Sequence, residues 1–305
     1  MFESISELLE LAEKSDLAAW ELIQQLDAQE QGYTVEQSRR QMEELYRVMR
    51  QTNAEYDGDL RSNSGLTGGD GALMEQALSG GRLLGGEYLN QVIAHALKTG
   101  ESNACMRRIV AAPTAGACGV IPAVLLPLVE MGEITETEAV DSLYIGAAFG
   151  QVIASRASIA GAEGGCQAEI GTASAMAAGQ LVYLRGGSLR ASASACAMAL
   201  SNLMGLVCDP VAGLVEVPCV KRNVIGAVGA VAAVNMALAG IVTRIPVDEV
   251  IDAMGVVGGT LPSSLRETGE GGLAATPTGK RFSRSFCGSA PTAKDDGVAG
   301  GRPES

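Results

Sequence analysis

A chain of 305 residues can form one large domain or two, and its 47% hydrophobic content is carried by alanine and glycine, with only 4% aromatic residues. The net charge of −13 includes −9 within residues 1–60 and comes with no basic stripe, which makes the chain a poor nucleic-acid binder. The opening Met-Phe-Glu-Ser-Ile-Ser-Glu has no basic stretch ahead of an apolar one, so no export signal is expected and a cytoplasmic location follows; seven cysteines then point to metal or redox use rather than to a disulfide framework.

Residues 3–31 and 35–57 are predicted to be amphipathic helices. Leu8, Leu9, Leu11, Ala12, Ala19, Leu22, Ile23 and Leu26 recur at helical spacing. Thr34 with Gln37 has the pattern of a capping box. Residues 1–60 are thus read as an N-terminal helical segment, followed by a loop over 58–71 that is rich in glycine and serine. From Ala72 to about Val257, apolar runs occupy 109–129, 143–155, 170–184, 191–207 and 224–243. They are too long and too little alternating for strands. Thr135 with Glu138 caps the second run. The fold class is therefore all-α, with buried small-residue helices in a main domain over 61–278. Residues 224–242 carry no charge across the nominal length of a membrane span. Alanine and glycine gain little from lipid, however, and no Trp/Tyr belt is present, so a helix inside a bundle is the expectation and no membrane partner is. From Thr276 onward the periodicity is lost, and residues 279–305, with Cys287 among them, are expected to be a flexible tail.

Three cysteines stand beside glycine or proline breaks: Gly164-Gly-Cys166-Gln, Val-Cys208-Asp-Pro and Val-Pro-Cys219-Val-Lys-Arg. Three thiolates suffice for three irons of a four-iron cluster and leave one iron open for chemistry. Cys166 and Cys219 each open an apolar run, so both are expected at helix N-termini, where thiolate is favoured. Cys208 is expected to close a helix-like run. No pair has the CxxC spacing of a local metal motif, and three buried structural cysteines remain an equal reading of the spacing alone. Cys105, Cys118 and Cys196 read as packing residues.

His95 is the only histidine, which rules out a multi-histidine metal site within the chain. Lys98 and Lys221 could form an imine, but neither follows a phosphate-cradling loop. Loops around Thr67, Gly68 and Gly69, around Thr114 and Gly116, and around Thr268 and Gly269 are candidates for holding a substrate carboxylate through backbone N–H groups, with Lys221 or Arg222 as the cation. Ordinary turns are the alternative.

The segments Ala112-Pro-Thr-Ala-Gly-Ala-Cys-Gly-Val-Ile-Pro122, Gly164-Gly-Cys-Gln-Ala-Glu-Ile-Gly171, Leu206-Val-Cys-Asp-Pro-Val-Ala-Gly-Leu-Val-Glu-Val-Pro-Cys-Val-Lys-Arg-Asn223 and Leu265-Arg-Glu-Thr-Gly-Glu-Gly-Gly-Leu-Ala-Ala-Thr-Pro-Thr-Gly279 carry a resemblance. Over residues 1 to about 280 the chain resembles the alpha chain of bacterial iron–sulfur-dependent L-serine dehydratase, an L-serine ammonia-lyase. The resemblance implies an all-helical catalytic domain and a 4Fe–4S cluster held by Cys166, Cys208 and Cys219. It also implies conversion of L-serine to pyruvate and ammonia without pyridoxal phosphate. The Ser-His-Thr and Gly-Pro-Met signatures of single-chain relatives are absent here, so a separate beta chain is the implied partner and an outside source for the general base. Cys287 could reach the open iron, or be inert. Two other classes compete: an iron–sulfur electron carrier, which needs a fourth ligand, and a non-catalytic membrane or scaffold protein, which needs no iron.

Overall fold

Alanine, glycine and serine let helix backbones approach more closely than larger side chains allow, and this sets the architecture. The computed structural model describes residues 2–287, which form thirteen α-helices and, among those residues, no β-strand. In chain order these are α1 (Ile5–Glu13), α2 (Ala19–Gln31), α3 (Val35–Ala54), α4 (Asp70–Leu78), α5 (Gly86–Ala104), α6 (Val120–Glu130) and α7 (Glu136–Arg156). They continue with α8 (Gly161–Gly164), α9 (Thr172–Leu184), α10 (Leu189–Leu203), α11 (Cys219–Leu238), α12 (Val247–Thr260) and α13 (Pro277–Cys287). The centre is α9, which packs against α6, α7, α10 and α11. Every residue of α9 from Thr172 to Val182 is buried, as expected for a helix with no polar face. The close fit is visible at Gly179, where a Cβ would lie 2.7 Å from the Phe149 ring of α7. Ser174 Oγ donates to Gly226 O at 2.7 Å and fastens α9 to α11.

Both expected capping boxes form. Gln37 N donates to Thr34 Oγ1 while Gln37 Oε1 accepts from Thr34 N, and Thr135 and Glu138 exchange the same pair of bonds. The expected helix over 3–31 is broken at residues 14–18. There the Ser15 hydroxyl accepts from Leu17 N and Glu21 accepts from Ala18 N, so side chains compete with the helical ladder and restart it as α2. The run 109–129 is α-helical only from Val120, after a single 3-10 turn at Ala115–Ala117, and the run 191–207 leaves the helix after Leu203. No helix is long and apolar enough to cross a membrane among the described residues. The expected tail has a further helix, α13, at its start; Cys287 ends it, and the side chain of Cys287 and residues 288–305 lie outside the described part.

The N-terminal segment shares the one core. Phe2, Ile5, Leu8, Ile23, Tyr46 and Met49 are buried with the residues of α6, α7 and α9. Asp248, in the first turn of α12, accepts from Ile5 N at 2.8 Å and from Ser6 N at 3.0 Å. A carboxylate thus closes the amino end of α1, where the orphan N–H groups and the helix dipole favour it.

Candidate functional site

Three chain segments meet where α9 and α11 begin. A short π-helical stretch, Gln167–Gly171, precedes α9, and Cys166 stands at its entry. Such stretches are frequent at functional sites. Gln167 is fully buried and pins this turn: its N and Oε1 bond Leu206 O at 2.9 Å and Gly205 N at 2.8 Å, while its Nε2 donates to Met254 O at 3.1 Å. The segment after α10 therefore returns past Cys166 in extended form. It ends in a parallel bridge between Cys208 and Arg266, in which Cys208 N donates to Leu265 O and Glu267 N donates to Cys208 O, both at 2.8 Å. Cys208 was expected to close a helix. It lies five residues beyond the end of α10 because its backbone pairs with the 265–267 segment instead. Cys219 is the first residue of α11, as expected.

All three thiols are buried, at 2% exposure for Cys166 and Cys208 and 7% for Cys219. Hydrogen bonding from Cys208 holds Cys166 below the ordinary thiol range, with help from Arg222 and against burial. Cys208 is correspondingly raised, first by its bond to Cys166 and then by burial. Within this pair Cys166 is the thiol that ionises more readily and Cys208 the one that holds its proton longer. Cys219 does not behave as its helix-end position predicts. Burial, with Cys166 and Glu169 nearby, pushes it up to about 12 and outweighs the dipole of α11.

Arg222, in the first turn of α11, is the cation among these sulfurs. Its Nη1 donates to Val207 O at 2.7 Å and its Nη2 to Asp209 Oδ1 at 2.8 Å, so it grips both neighbours of Cys208. Burial opposes its charge, but Cys166 and Asp209 keep the guanidinium charged and raise its pKa. Asp209 is buried too, and its other oxygen accepts from Leu273 N at 2.7 Å. The guanidinium is therefore committed to protein acceptors. Lys221, the other expected carboxylate ligand, is exposed and paired with Asp70 at 3.0 Å.

Thr114 and Gly116 reach the site through Asn223. Its Oδ1 accepts from Gly119 N at 2.8 Å, and its Nδ2 donates to Gly116 O at 2.8 Å and to Cys219 O at 3.1 Å. This seats the 114–119 turn on the first turn of α11. Thr114 Oγ1 then donates at 2.8 Å to Glu169 Oε1, a carboxylate that sequence reasoning did not single out. A Cβ at Gly161 would lie 2.8 Å from Glu169 Oε2 and 3.1 Å from Cys208 Sγ, so a bare glycine leaves room for both. Burial raises the pKa of Glu169, Thr114 partly offsets this, and Glu267 adds to the rise. Glu267 itself holds φ +65°, a strained conformation for a residue with a side chain.

The other expected residues make their contacts with groups other than the three thiols. Thr67, Gly68 and Gly69 belong to a loop whose outgoing amides, Asp70 N and Gly71 N, are already taken by buried Glu101. Ser62 Oγ fastens that loop to Glu216, between Cys208 and Cys219, at 2.6 Å. Thr268 Oγ1 donates to Ser263 O, and Gly269 packs on the Pro210–Gly213 turn. His95 is buried in α5 with Nε2 3.1 Å from Glu130, and burial lowers it to about 3, so it is neutral. Lys98 is paired with Glu75 at 2.7 Å. Cys118 and Cys196 are buried with raised pKa values, as packing residues. Among the described residues, no three His, Cys, Asp or Glu side chains meet closely enough to hold a single metal ion.

The chain matches the family profile described as serine dehydratase alpha chain over residues 14–274. It is similar to the probable L-serine dehydratase, alpha chain, of Bacillus subtilis, with 45% identity over 290 residues that cover 95% of this chain and 97% of that one. Similarity to the L-serine dehydratase, alpha chain, of Peptoniphilus asaccharolyticus is 37% over 288 residues, 94% and 98% of the two chains. With the L-serine dehydratase of Streptomyces coelicolor it shares 35% identity over 281 residues, which are 90% of this chain and 60% of that one.

Proposed function

Because the chain belongs to the serine dehydratase alpha-chain family, we propose that it converts L-serine to pyruvate and ammonia as the iron–sulfur-bearing chain of a multi-subunit enzyme. The observation that carries this reading is the gathering of three buried thiols, Cys166, Cys208 and Cys219, from three separate segments, around one partly buried guanidinium. The donor set fits a 4Fe–4S cluster. A polynuclear group places each thiolate on a different iron, so the sulfurs need not meet at a point, and Arg222 offsets the charge they gather. When bound, such a cluster supplies one iron without a cysteine ligand as a Lewis acid for the departing hydroxyl.

The other roles belong to side chains of this chain and of its partner. Serine must lose its α-proton and its β-hydroxyl, giving aminoacrylate and water; the aminoacrylate tautomerises to the imine, which water hydrolyses to pyruvate and ammonium. Glu169, whose pKa burial raises and which Thr114 orients through Oε1, is assigned to deliver a proton from Oε2 to the leaving oxygen. The turn bearing Thr114 and Gly116 and the Gly161 cradle shape the space beside that oxygen. His95 is not assigned as the base for the α-proton, since it is buried in α5 with Nε2 3.1 Å from Glu130. That base is assigned to a beta chain, the further subunit that the alpha-chain names of the relatives imply.

Anaerobic purification, followed by iron and sulfide analysis and a serine-dependent pyruvate assay with and without a beta chain, tests the reading. Brown, oxygen-sensitive protein is expected, and Cys166→Ala, Cys208→Ala and Cys219→Ala should each abolish cluster loading. A colourless, iron-free preparation with full activity would sink the cluster mechanism. Reversible reduction without pyruvate formation would favour an electron carrier instead.

A further inference from the structure

We infer that Arg222 is a positioning residue, a clamp that sets the three cysteine segments in their ligating arrangement before any metal arrives. The inference rests on the cluster reading for its purpose, but its geometry does not. One guanidinium, rooted in the α11 turn that begins with Cys219, bonds the residue on each side of Cys208: Val207 O at 2.7 Å and Asp209 Oδ1 at 2.8 Å. It also lies beside Cys166. Asp209 extends the clamp by accepting from Leu273 N at 2.7 Å, so the 265–273 segment, already bridged to Cys208, is drawn into the same unit.

The chemistry favours arginine over lysine here. A planar guanidinium can serve two oxygen acceptors and a sulfur at once in fixed directions, whereas an ammonium is a point charge on a flexible stem. Asp209 is buried and Arg222 largely so, with side-chain exposure of 4% and 14%, so removal of either leaves the other with unmet hydrogen bonds. The 204–210 segment lacks a helical ladder of its own, which makes its shape depend on such outside bonds.

Two measurements on the full-length chain test this. The first is amide hydrogen exchange in metal-free wild type, Arg222→Gln and Arg222→Lys, followed by mass spectrometry. Faster exchange, tenfold or more, is expected in peptides covering 205–210 and 265–275 of Arg222→Gln, with α6, α7 and α9 unchanged. The second is anaerobic reconstitution with ferrous iron and sulfide. Arg222→Gln should retain less than half of the wild-type iron and sulfide, and the cluster that does form should have a lower reduction potential, because a cation that stabilises the reduced state is gone. Arg222→Lys should restore the potential more than the loading, since it returns charge without the fork. Unchanged exchange in Arg222→Gln overturns the clamp whatever the iron content. Full loading with unchanged potential overturns its role toward the cluster. If Arg222→Gln does not fold, Asp209→Asn, which keeps the shape and weakens the pair, carries the same comparison. Wild type that takes up neither iron nor sulfide refutes the cluster reading alone, and the exchange data then decide the clamp by themselves.

Discussion

Glu169 is the only charged side chain between Cys166 and Arg185, and that isolation is the signal by which the sequence could have marked it. A buried carboxyl group in an apolar run needs a hydrogen-bond partner, and here the Thr114 hydroxyl supplies one. Glu169→Gln is expected to lower kcat by roughly 10²–10⁴-fold while leaving iron and sulfide content unchanged. Equal activity in the variant would remove Glu169 from the chemistry. The sign of its pH dependence follows from the raised pKa. The acid form persists to higher pH than in an ordinary glutamate, so the rate should fall as pH rises through that value, and this limb should vanish in Glu169→Gln. Cys219 teaches the opposite lesson. Its helix-end position is legible in the sequence, but its protonation is not, because burial and neighbouring negative charge come from other segments.

At the scale of elements, local patterns located helices well where capping chemistry stood beside periodicity. Thr34/Gln37 and Thr135/Glu138 start α3 and α7 where expected, and Thr135→Ala should cost about 0.5–2 kcal/mol, read as a lower Tm. Apolar content alone overextended the helices. Residues 204–208 are apolar enough to continue α10, yet Gln167 and the 265–267 segment take their backbone groups into other bonds. The central element α9 depends on how little its residues occupy. Gly179→Ala puts a methyl 2.7 Å from the Phe149 ring and is expected to destabilise the protein by about 1–3 kcal/mol. Thermal melts followed by circular dichroism measure this, and an unchanged Tm would mean that α7 and α9 are less closely fitted than described.

For the whole molecule, the N-terminal segment and the main domain are joined through a single core and through Asp248. Asp248→Ala strands two backbone donors at the start of α1, at about 1–3 kcal/mol each. Limited proteolysis should then cut within residues 14–18 sooner than in wild type, while the central helices stay protected. Equal cleavage rates would show that apolar packing alone holds α1. The sequence by itself determined the all-α class, the small-residue character of the core and the three cysteines to watch, because helical periodicity, composition and flanking glycines and prolines are properties of neighbours along the chain. Only the tertiary structure decided that Arg222 bonds the residues on either side of Cys208, that the Thr67–Gly69 loop leads into amides already claimed by Glu101, and that Glu169 comes close to Cys208 beside Gly161. Each of these depends on which buried acceptor reaches a donor first, and those partners lie from 13 to more than 50 residues apart, at separations where pattern along the chain carries no information about contact.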